Sequence, residues 1–415
     1  MARNIVILGS GIIGLSSAYY AAQRGHRVTV IDRSAEDHEG CSFGNAGMVV
    51  SSHFVPLAAP GMVALGLKWM WNPESPFYIQ PRFDAELFAW AWRFWRACTP
   101  AHVARCAPVL RDLSLASRTA YETLAAEMDF GLVQRGLIML CKEPRTLDEE
   151  AHTADQAHAL GLTAQVLDAR QIAALDPTVT MQVCGGVYFP ADCHLSPNRL
   201  MAALRRACQD LGVQFLWNTG VTGWRKEGTV LQAAVTTQGE MHADEFVLAG
   251  GAWSPLTVAG LGLRLPMQAG KGYSLTLPAP RQLPTLCSIF TEARVAVTPM
   301  GTSLRFGGTM EIAGLHEQIN PRRVQGIIKA VPCYFPEFEP ADFARIQPWA
   351  GLRPCSPDGM PYVGRTAAAK NLIVASGHSM MGLSLGPVTG QIVADLVSDE
   401  RPAFDLQLLS PDRFR

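Results

Sequence analysis

A chain of 415 residues, 48% of them hydrophobic and 17% charged, is about two to three times the length of a typical single domain and has apolar material for a large core. Its 35 basic and 36 acidic side chains give a formal charge of −1, with none of the basic excess that nucleic-acid binding needs. Ten cysteines with no C-x-x-C pair, and no histidine at metal-ligand spacing, point to reduced and mostly buried thiols rather than disulfides or a metal site.

The opening "MARNIVILGSGIIGLSSAYYAA" has the outline of a secretory signal, a basic residue before an apolar run, but its glycine spacing argues for a different use. Ile5 to Leu8 reads as a strand, Gly9 to Gly14 as a tight turn, and Leu15 to Arg24 as a helix that Gly25 ends; "HRVTVID" supplies a second strand. Gly9-Ser10-Gly11-Ile12-Ile13-Gly14 fits G-x-G-x-x-G. Gly9 allows the turn, Gly11 lets a pyrophosphate approach the helix N-terminus, and Gly14 permits close packing of helix on strand. Asp32 ends the second strand, where it can accept a ribose hydroxyl. A lone glycine pattern is weak evidence; strand, glycines, helix, strand and acid in that order predict a dinucleotide site.

"SFGNAGMVV" follows at residues 42–50. The small residues Ser42, Gly44, Ala46 and Gly47 would let the backbone and the Asn45 side chain reach a pyrophosphate and the edge of a flat ring; a glycine-rich surface loop is the plainer alternative. Five of the nine tryptophans, Trp69, Trp71, Trp90, Trp92 and Trp95, then fall between residues 54 and 95. Tryptophan favours membrane interfaces, and Lys68, Arg93 and Arg96 could meet anionic head groups. For the helix around Trp90 to Trp95 buried core is the better expectation. For "PGMVALGLKWMW" interface and core are close alternatives. No apolar run is long enough to span a bilayer.

Residues 85 to 128 carry apolar residues at three- and four-residue spacing, with breaks that predict separate helices. Short strand-like runs follow in "GLIMLCK", "GGVYFP", "VQFLWNT" and "EFVLAGGAW", with a helix in "SPNRLMAALRRACQDLG". "GYSLTL", "RVAVTPM" and "SLRFGGTM" are strand-rich, and the last 65 or so residues return to strand then helix in "NLIVASG" and "GPVTGQIVADLV". The expectation is an α/β domain assembled from separated pieces of chain, Rossmann-like, with a β-rich domain inserted into it. The pieces are placed at 1–53, 153–262 and 350–415 for the nucleotide domain, 54–152 for a helical, substrate-side region, and 263–349 for the substrate domain.

With the N-terminal fingerprint, "GVYFPADCHLSPNRL", "EFVLAGGAWS", "GLRPCSPDGMPYVGR" and "NLIVASGHSMMGLSLGPVTGQIVADL" make the chain resemble the FAD-dependent D-amino-acid oxidase superfamily throughout, closest to its bacterial D-amino-acid dehydrogenases. The resemblance implies that Gly9, Ser10, Gly11, Ile12, Ile13 and Gly14, with Asp32, Arg33 and Ser34, hold the adenosine and pyrophosphate. It implies that Ser42, Asn45, Ala46, Gly47 and Met48 run beside the flavin, that Val221 meets adenine through its backbone, and that Ala249, Gly250 and Trp253 border the cofactor. Gly377, Met380, Met381, Gly382 and Leu383 would bring backbone amides and a helix N-terminus to the pyrimidine side of the ring. Met380 stands where the superfamily's glycine oxidases place an arginine, which favours a more apolar pocket wall.

On the substrate side, Arg353 in "GLRP" matches the arginine that grips the substrate carboxylate, and its planar fork suits that geometry. Tyr273 in "GKGYSL" would add a hydroxyl donor, with packing in a strand an equal alternative. His53 and His378 are weaker candidates, since a single histidine is more often structural. No cysteine sits at the offset used for a covalent flavin link, so FAD is expected to be non-covalent. The activity implied is oxidative deamination of D-amino acids, those of the D-proline and D-hydroxyproline type included, with electrons passed to a membrane quinone. The implied location is the cytoplasm, peripheral on the cytoplasmic face of the inner membrane; neither nucleic acid nor metal is expected. Two alternatives stay open: an oxygen-using oxidase of the D-amino-acid or glycine/sarcosine type, and a flavoprotein subunit of a larger dehydrogenase.

Overall fold

Two runs of four buried positions, Ile5 to Leu8 and Glu245 to Leu248, apolar except for Glu245, form the centre of a six-stranded sheet, as strands covered on both faces require. The structure, a computed structural model, describes residues 1–415. Across this sheet the strands run Tyr362–Thr366, Ala369–Ser376, Glu245–Leu248, Asn4–Leu8, Arg27–Ile31 and Gln214–Leu216. All pair in parallel except the Tyr362–Thr366 edge. The sheet therefore draws on three separated stretches of sequence, giving the α/β, Rossmann-like arrangement.

Helices Ile12–Gln23 and Gly386–Val397 pack side by side on this sheet, Gly386 close to Ile12 and Gly390 close to Ser16. This register makes them parallel, so both N-termini point toward the same end of the sheet. Two positive helix ends thus converge where the strands deliver their carboxyl ends, the usual ligand position in open α/β sheets.

The second body is a larger, mostly antiparallel sheet. Its path is Trp349–Cys355, Gln268–Leu277, Ser303–Ile312, Val295–Met300, Cys287–Phe290, Leu137–Cys141, Gly185–Phe189 and Gln165–Asp168, with Phe77–Ile79 also pairing on Met310 to Ile312. Strands 165–168 and 185–189, from the stretch expected to continue the nucleotide domain, lie in this large sheet. One of its faces is sealed by helix Pro321–Tyr334, whose Val324, Ile327, Ile328 and Val331 join a 22-residue core with Tyr273, Leu275 and Phe306.

The region expected to be helical forms Ala85–Ala97 and Pro100–Glu127. Their break falls at Cys98–Thr99, where Thr99 accepts the His102 N–H and Pro100 starts the next helix. Asp84 caps the first of the two by accepting from Glu86 and Leu87. A further helix, Met62–Met70, precedes them. No helix is long and apolar enough to cross a membrane.

Candidate active site

The glycine turn sits at the carboxyl end of the first strand, as its spacing requires. Gly9 has φ +113, and a β-carbon there would collide with the Ala249 carbonyl; one on Gly14 would collide with the Gly9 carbonyl. The Asp32 carboxylate braces the turn, accepting from the Ser10 N–H at 2.8 Å, the Ser10 hydroxyl at 2.6 Å and the Ser34 N–H at 2.9 Å. Ser42 Oγ accepts the Ile12 N–H at 3.0 Å at the start of the helix.

A cleft of about 380 Å³ runs from here along the sheet edge. Gly9 through Ile13, Asp32, Arg33 and Ser34 line one end, where the Arg33 guanidinium stacks 3.6 Å from the Trp253 ring centroid. Val221, Ala249, Gly250 and Trp253 complete that end; Ser42, Asn45, Met380, Gly382 and Leu383 line the other. Gly14 and Gly377 are not in the lining of the cleft. Gly377, at φ +77, turns the chain against the Tyr362 ring. Two buried polar atoms at the cleft, His378 Nδ1 and Ser379 Oγ, have no protein partner. Unpartnered polar atoms of this kind, two helix N-termini and a glycine cradle fit an elongated ligand with phosphates and hydrogen-bonding edges.

The loop at 42–50 is small for reasons the residues alone did not reveal. A β-carbon on Gly44 would overlap the Trp349 ring, which lies flat across it, and one on Gly47, at φ +79, would strike the Leu195 carbonyl. Asn45 Oδ1 accepts the Gly47 N–H at 2.9 Å to close the turn. The buried Arg305 holds the loop from beneath, donating Nη1 to the carbonyls of Phe43 at 3.2 Å and Asn45 at 2.8 Å. The loop thus owes its glycines to Trp349 and Leu195 as much as to any bound ring.

A second cavity, about 520 Å³ and mostly apolar, adjoins the cleft. The two share Cys41, Asn45, Arg353 and Met380, so these four residues mark their junction. Ala46, Met48 and Met381 face this second cavity rather than the cleft, and Gly47 faces neither. Arg353 donates Nη1 to the Thr309 carbonyl at 2.6 Å and pairs with no carboxylate. Burial raises the Cys41 thiol to about 11, so it stays protonated at neutral pH.

Tyr273 is among the residues that line the apolar cavity. Its hydroxyl, expected to meet a substrate carboxylate, donates to Glu311 Oε2 at 2.5 Å and accepts the Asn320 N–H at 3.2 Å. Side chains alternate along a strand, and in Gly270–Ser274 the Gly272 position faces the Arg353 guanidinium and the Gly270 position faces Met310 and Cys355, while Lys271 and Tyr273 reach Glu311 from the opposite face. His53 lines the apolar cavity, with Nδ1 3.1 Å from Ser52 Oγ; burial and then the nearby Arg294 charge lower its pKa to about 4, leaving it neutral. His378 has Nε2 3.0 Å from Thr389 Oγ1, and burial lowers it to about 3. Cys41, Thr309, Arg294 and Trp349 also border the site; no sequence spacing connects them to it.

The tryptophan-rich segment has two faces. Met62, Val63, Trp69, Met70 and Phe94 line the apolar cavity, and the buried Trp90 beside them donates Nε1 to the Cys355 carbonyl at 2.9 Å. Leu67 and Trp95 line the cavity while remaining exposed, and Trp71, Phe83, Phe88 and Trp92 are exposed outside its lining, Trp71 at 91%. Trp69 therefore belongs to the cavity and Trp71 to the surface, although only Met70 separates them in sequence.

The FAD dependent oxidoreductase family model (DAO) matches residues 4–396. A D-amino acid dehydrogenase of Bradyrhizobium diazoefficiens is 33% identical over 421 residues, covering 99% of this chain and 98% of that protein. One from Agrobacterium fabrum is 33% identical over 423 residues and covers 99% of each. Among solved structures, glycine oxidase from Geobacillus kaustophilus aligns with a TM-score of 0.80 at 25% identity, covering 100% of this chain and 99% of that one. L-proline dehydrogenase from P. horikoshii, at TM-score 0.74 and 18% identity over 100% and 98% of the two chains, shares the fold.

Proposed function

Because the chain belongs to the DAO family of FAD-dependent oxidoreductases, we propose that it oxidises D-amino acids, with FAD held non-covalently in the cleft and the substrate in the apolar cavity beside it. The observation that carries this reading is Arg353, a guanidinium without a carboxylate partner at the junction of the two cavities. A charge at an otherwise uncharged junction calls for an anion, and an amino-acid carboxylate matches its fork with two parallel hydrogen bonds. The D-amino acid dehydrogenases at 33% identity over nearly the full chain support the D-configured substrate.

When bound, FAD supplies a two-electron acceptor for the hydride that leaves the substrate's α-carbon. The chain's own groups do the rest. Arg353 fixes the carboxylate and so orients the α-carbon toward the cleft. The neutral substrate amine provides the lone pair that drives the step, so no protein base is required. Neutral His53 leaves the cavity without a competing cation beyond Arg353 and Arg294. The imino acid released is hydrolysed by water to a 2-oxo acid and ammonia. Cys41 is the thiol at the junction, and burial holds it in the protonated, weakly nucleophilic form.

We further propose that electrons pass to a membrane quinone, reached by peripheral contact with the cytoplasmic face of the inner membrane. The exposed Phe88 and Trp92 lie on a helix that lines the apolar cavity and Trp71 caps another, while Leu67 and Trp95 are exposed where they line it, with Lys68 and Arg96 exposed among them. The test is turnover of a D-amino acid by purified protein, with a short-chain ubiquinone analogue without oxygen and with air alone. Quinone reduction without peroxide formation is expected. Rapid peroxide formation with no quinone reduction would assign the chain to the oxidases.

A further inference from the structure

The strands Gln268–Leu277 and Ser303–Ile312 fall out of register beside Arg353. Lys271 pairs with Glu311, but Tyr273 pairs with Gly308, so Thr309 and Met310 together oppose Gly272. This is a β-bulge, a device that re-aims backbone groups. Thr309 sits in it at φ +70, a costly conformation for a β-branched residue. Its carbonyl is the one that accepts Arg353 Nη1 at 2.6 Å, and Gly272 vacates the volume that the guanidinium fills. The bulge therefore aims the arginine.

On the opposite face, one carboxylate joins the two residues that bracket the bulge. Glu311 accepts the Tyr273 hydroxyl at 2.5 Å on Oε2, and Lys271 Nζ lies 3.6 Å from its Oε1. Lys271 also donates to the Gln318 carbonyl at 2.7 Å. Exposure is 1% for Lys271, 1% for Tyr273 and 5% for Glu311, so a buried ion pair and a buried phenol share this face. Arg323, 3% exposed, adds a second cation from the adjoining helix and binds the carbonyls of Asn72 and Ser75. An apolar cluster would generally be as stable as a buried ion pair, and the best-attested use of such a pair is to specify one register.

We propose that Glu311 is a positioning residue for Arg353: by tying Lys271 and Tyr273 together across the bulge, it fixes the Thr309 carbonyl and through it the guanidinium. The inference rests on the reading that Arg353 binds the substrate carboxylate. Glu311 touches no substrate; its effect reaches the site only through the bulge.

The test compares Glu311→Gln, Tyr273→Phe and Arg353→Ala in the FAD-loaded protein. Binding of benzoate, a carboxylate with no amine to oxidise, is read from the flavin spectrum, and KM and kcat are measured with a D-amino acid. Glu311→Gln should raise the benzoate Kd and the KM by about tenfold with kcat within about threefold, and Tyr273→Phe should shift both in the same direction by less. Arg353→Ala should weaken benzoate most. If Arg353→Ala weakens benzoate while both other variants, with full flavin content, bind it as the wild type does, the inference is overturned and the carboxylate reading stands. A lowered Tm with unchanged benzoate Kd counts as the same result. If Arg353→Ala leaves benzoate binding unchanged, the carboxylate reading falls and the inference falls with it. Should Glu311→Gln fail to fold, Tyr273→Phe decides by the same criterion.

Discussion

Replacing Gly272 with alanine probes the arginine without removing any polar or charged group of the cavity. Gly272 has an ordinary negative-φ strand backbone, so alanine costs nothing in conformation there. Its β-carbon would lie closer than 3.0 Å to three atoms of the Arg353 guanidinium, which real β-carbons do not tolerate. What it strikes is the free end of a long side chain, so the fold and flavin content should survive. The guanidinium must retreat by roughly 1 Å, enough to break its hydrogen bond to the Thr309 carbonyl and misdirect the fork. Loss of one well-aimed charged hydrogen bond to the substrate is worth about 1.5 to 3 kcal/mol, or roughly 10- to 150-fold in kcat/KM. The assay is kcat/KM for a D-amino acid alongside flavin stoichiometry and Tm. Unchanged kcat/KM in a flavin-replete variant would refute the claim that this guanidinium is held in place for catalysis.

Gly11→Val should fold yet lose FAD, because Gly11 has an ordinary φ of −68° and a β-carbon would meet Ser42 Oγ only at 3.5 Å, while the larger side chain projects into the cleft; flavin stoichiometry near one in a folded variant would count against the cleft assignment. The triple substitution of Trp71, Phe88 and Trp92 by serine should abolish flotation with anionic liposomes and leave flavin content intact, and equal flotation of wild type and variant would remove this face as the lipid contact. Burial lowers His53 and His194 to about 4 and His378 to about 3, so the folded chain binds fewer protons than the unfolded one below the ordinary histidine value. Their contribution is present above about pH 6.5 and is lost as pH falls toward 4, so Tm should drop between pH 7 and 5 and drop less in His194→Gln; a flat Tm over that range would contradict these shifts.

The N-terminal unit was legible because its parts are contiguous: strand, glycines, helix, second strand and Asp32 form the nucleotide end within about thirty residues. The discontinuous α/β architecture was legible for a related reason, since each piece carries its own strand-and-helix pattern. Tyr273 was not. In "GKGYSL" alternation is plain, but nothing local says which face meets the cavity, and choosing the wrong face misassigns every side chain on the strand. The two glycines were the overlooked signal: Gly270 and Gly272 share a face, and small residues on one face mark the side where something large approaches. Gly44 carries a similar lesson, for its partner Trp349 is about three hundred residues away and no spacing links them. The tryptophan segment was divided by helical phase, which put Trp69 inside and Trp71 outside.

The central claim, that the chain removes a hydride from D-amino acids held by Arg353, is tested most directly by anaerobic titration of the purified flavoprotein with D- and L-isomers of alanine, proline and hydroxyproline. Bleaching of the flavin absorbance by D-isomers, with L-isomers inert and Arg353→Ala unresponsive at the same concentrations, is the predicted result. A flavin that no D-amino acid reduces, or that L-isomers reduce first, would contradict it.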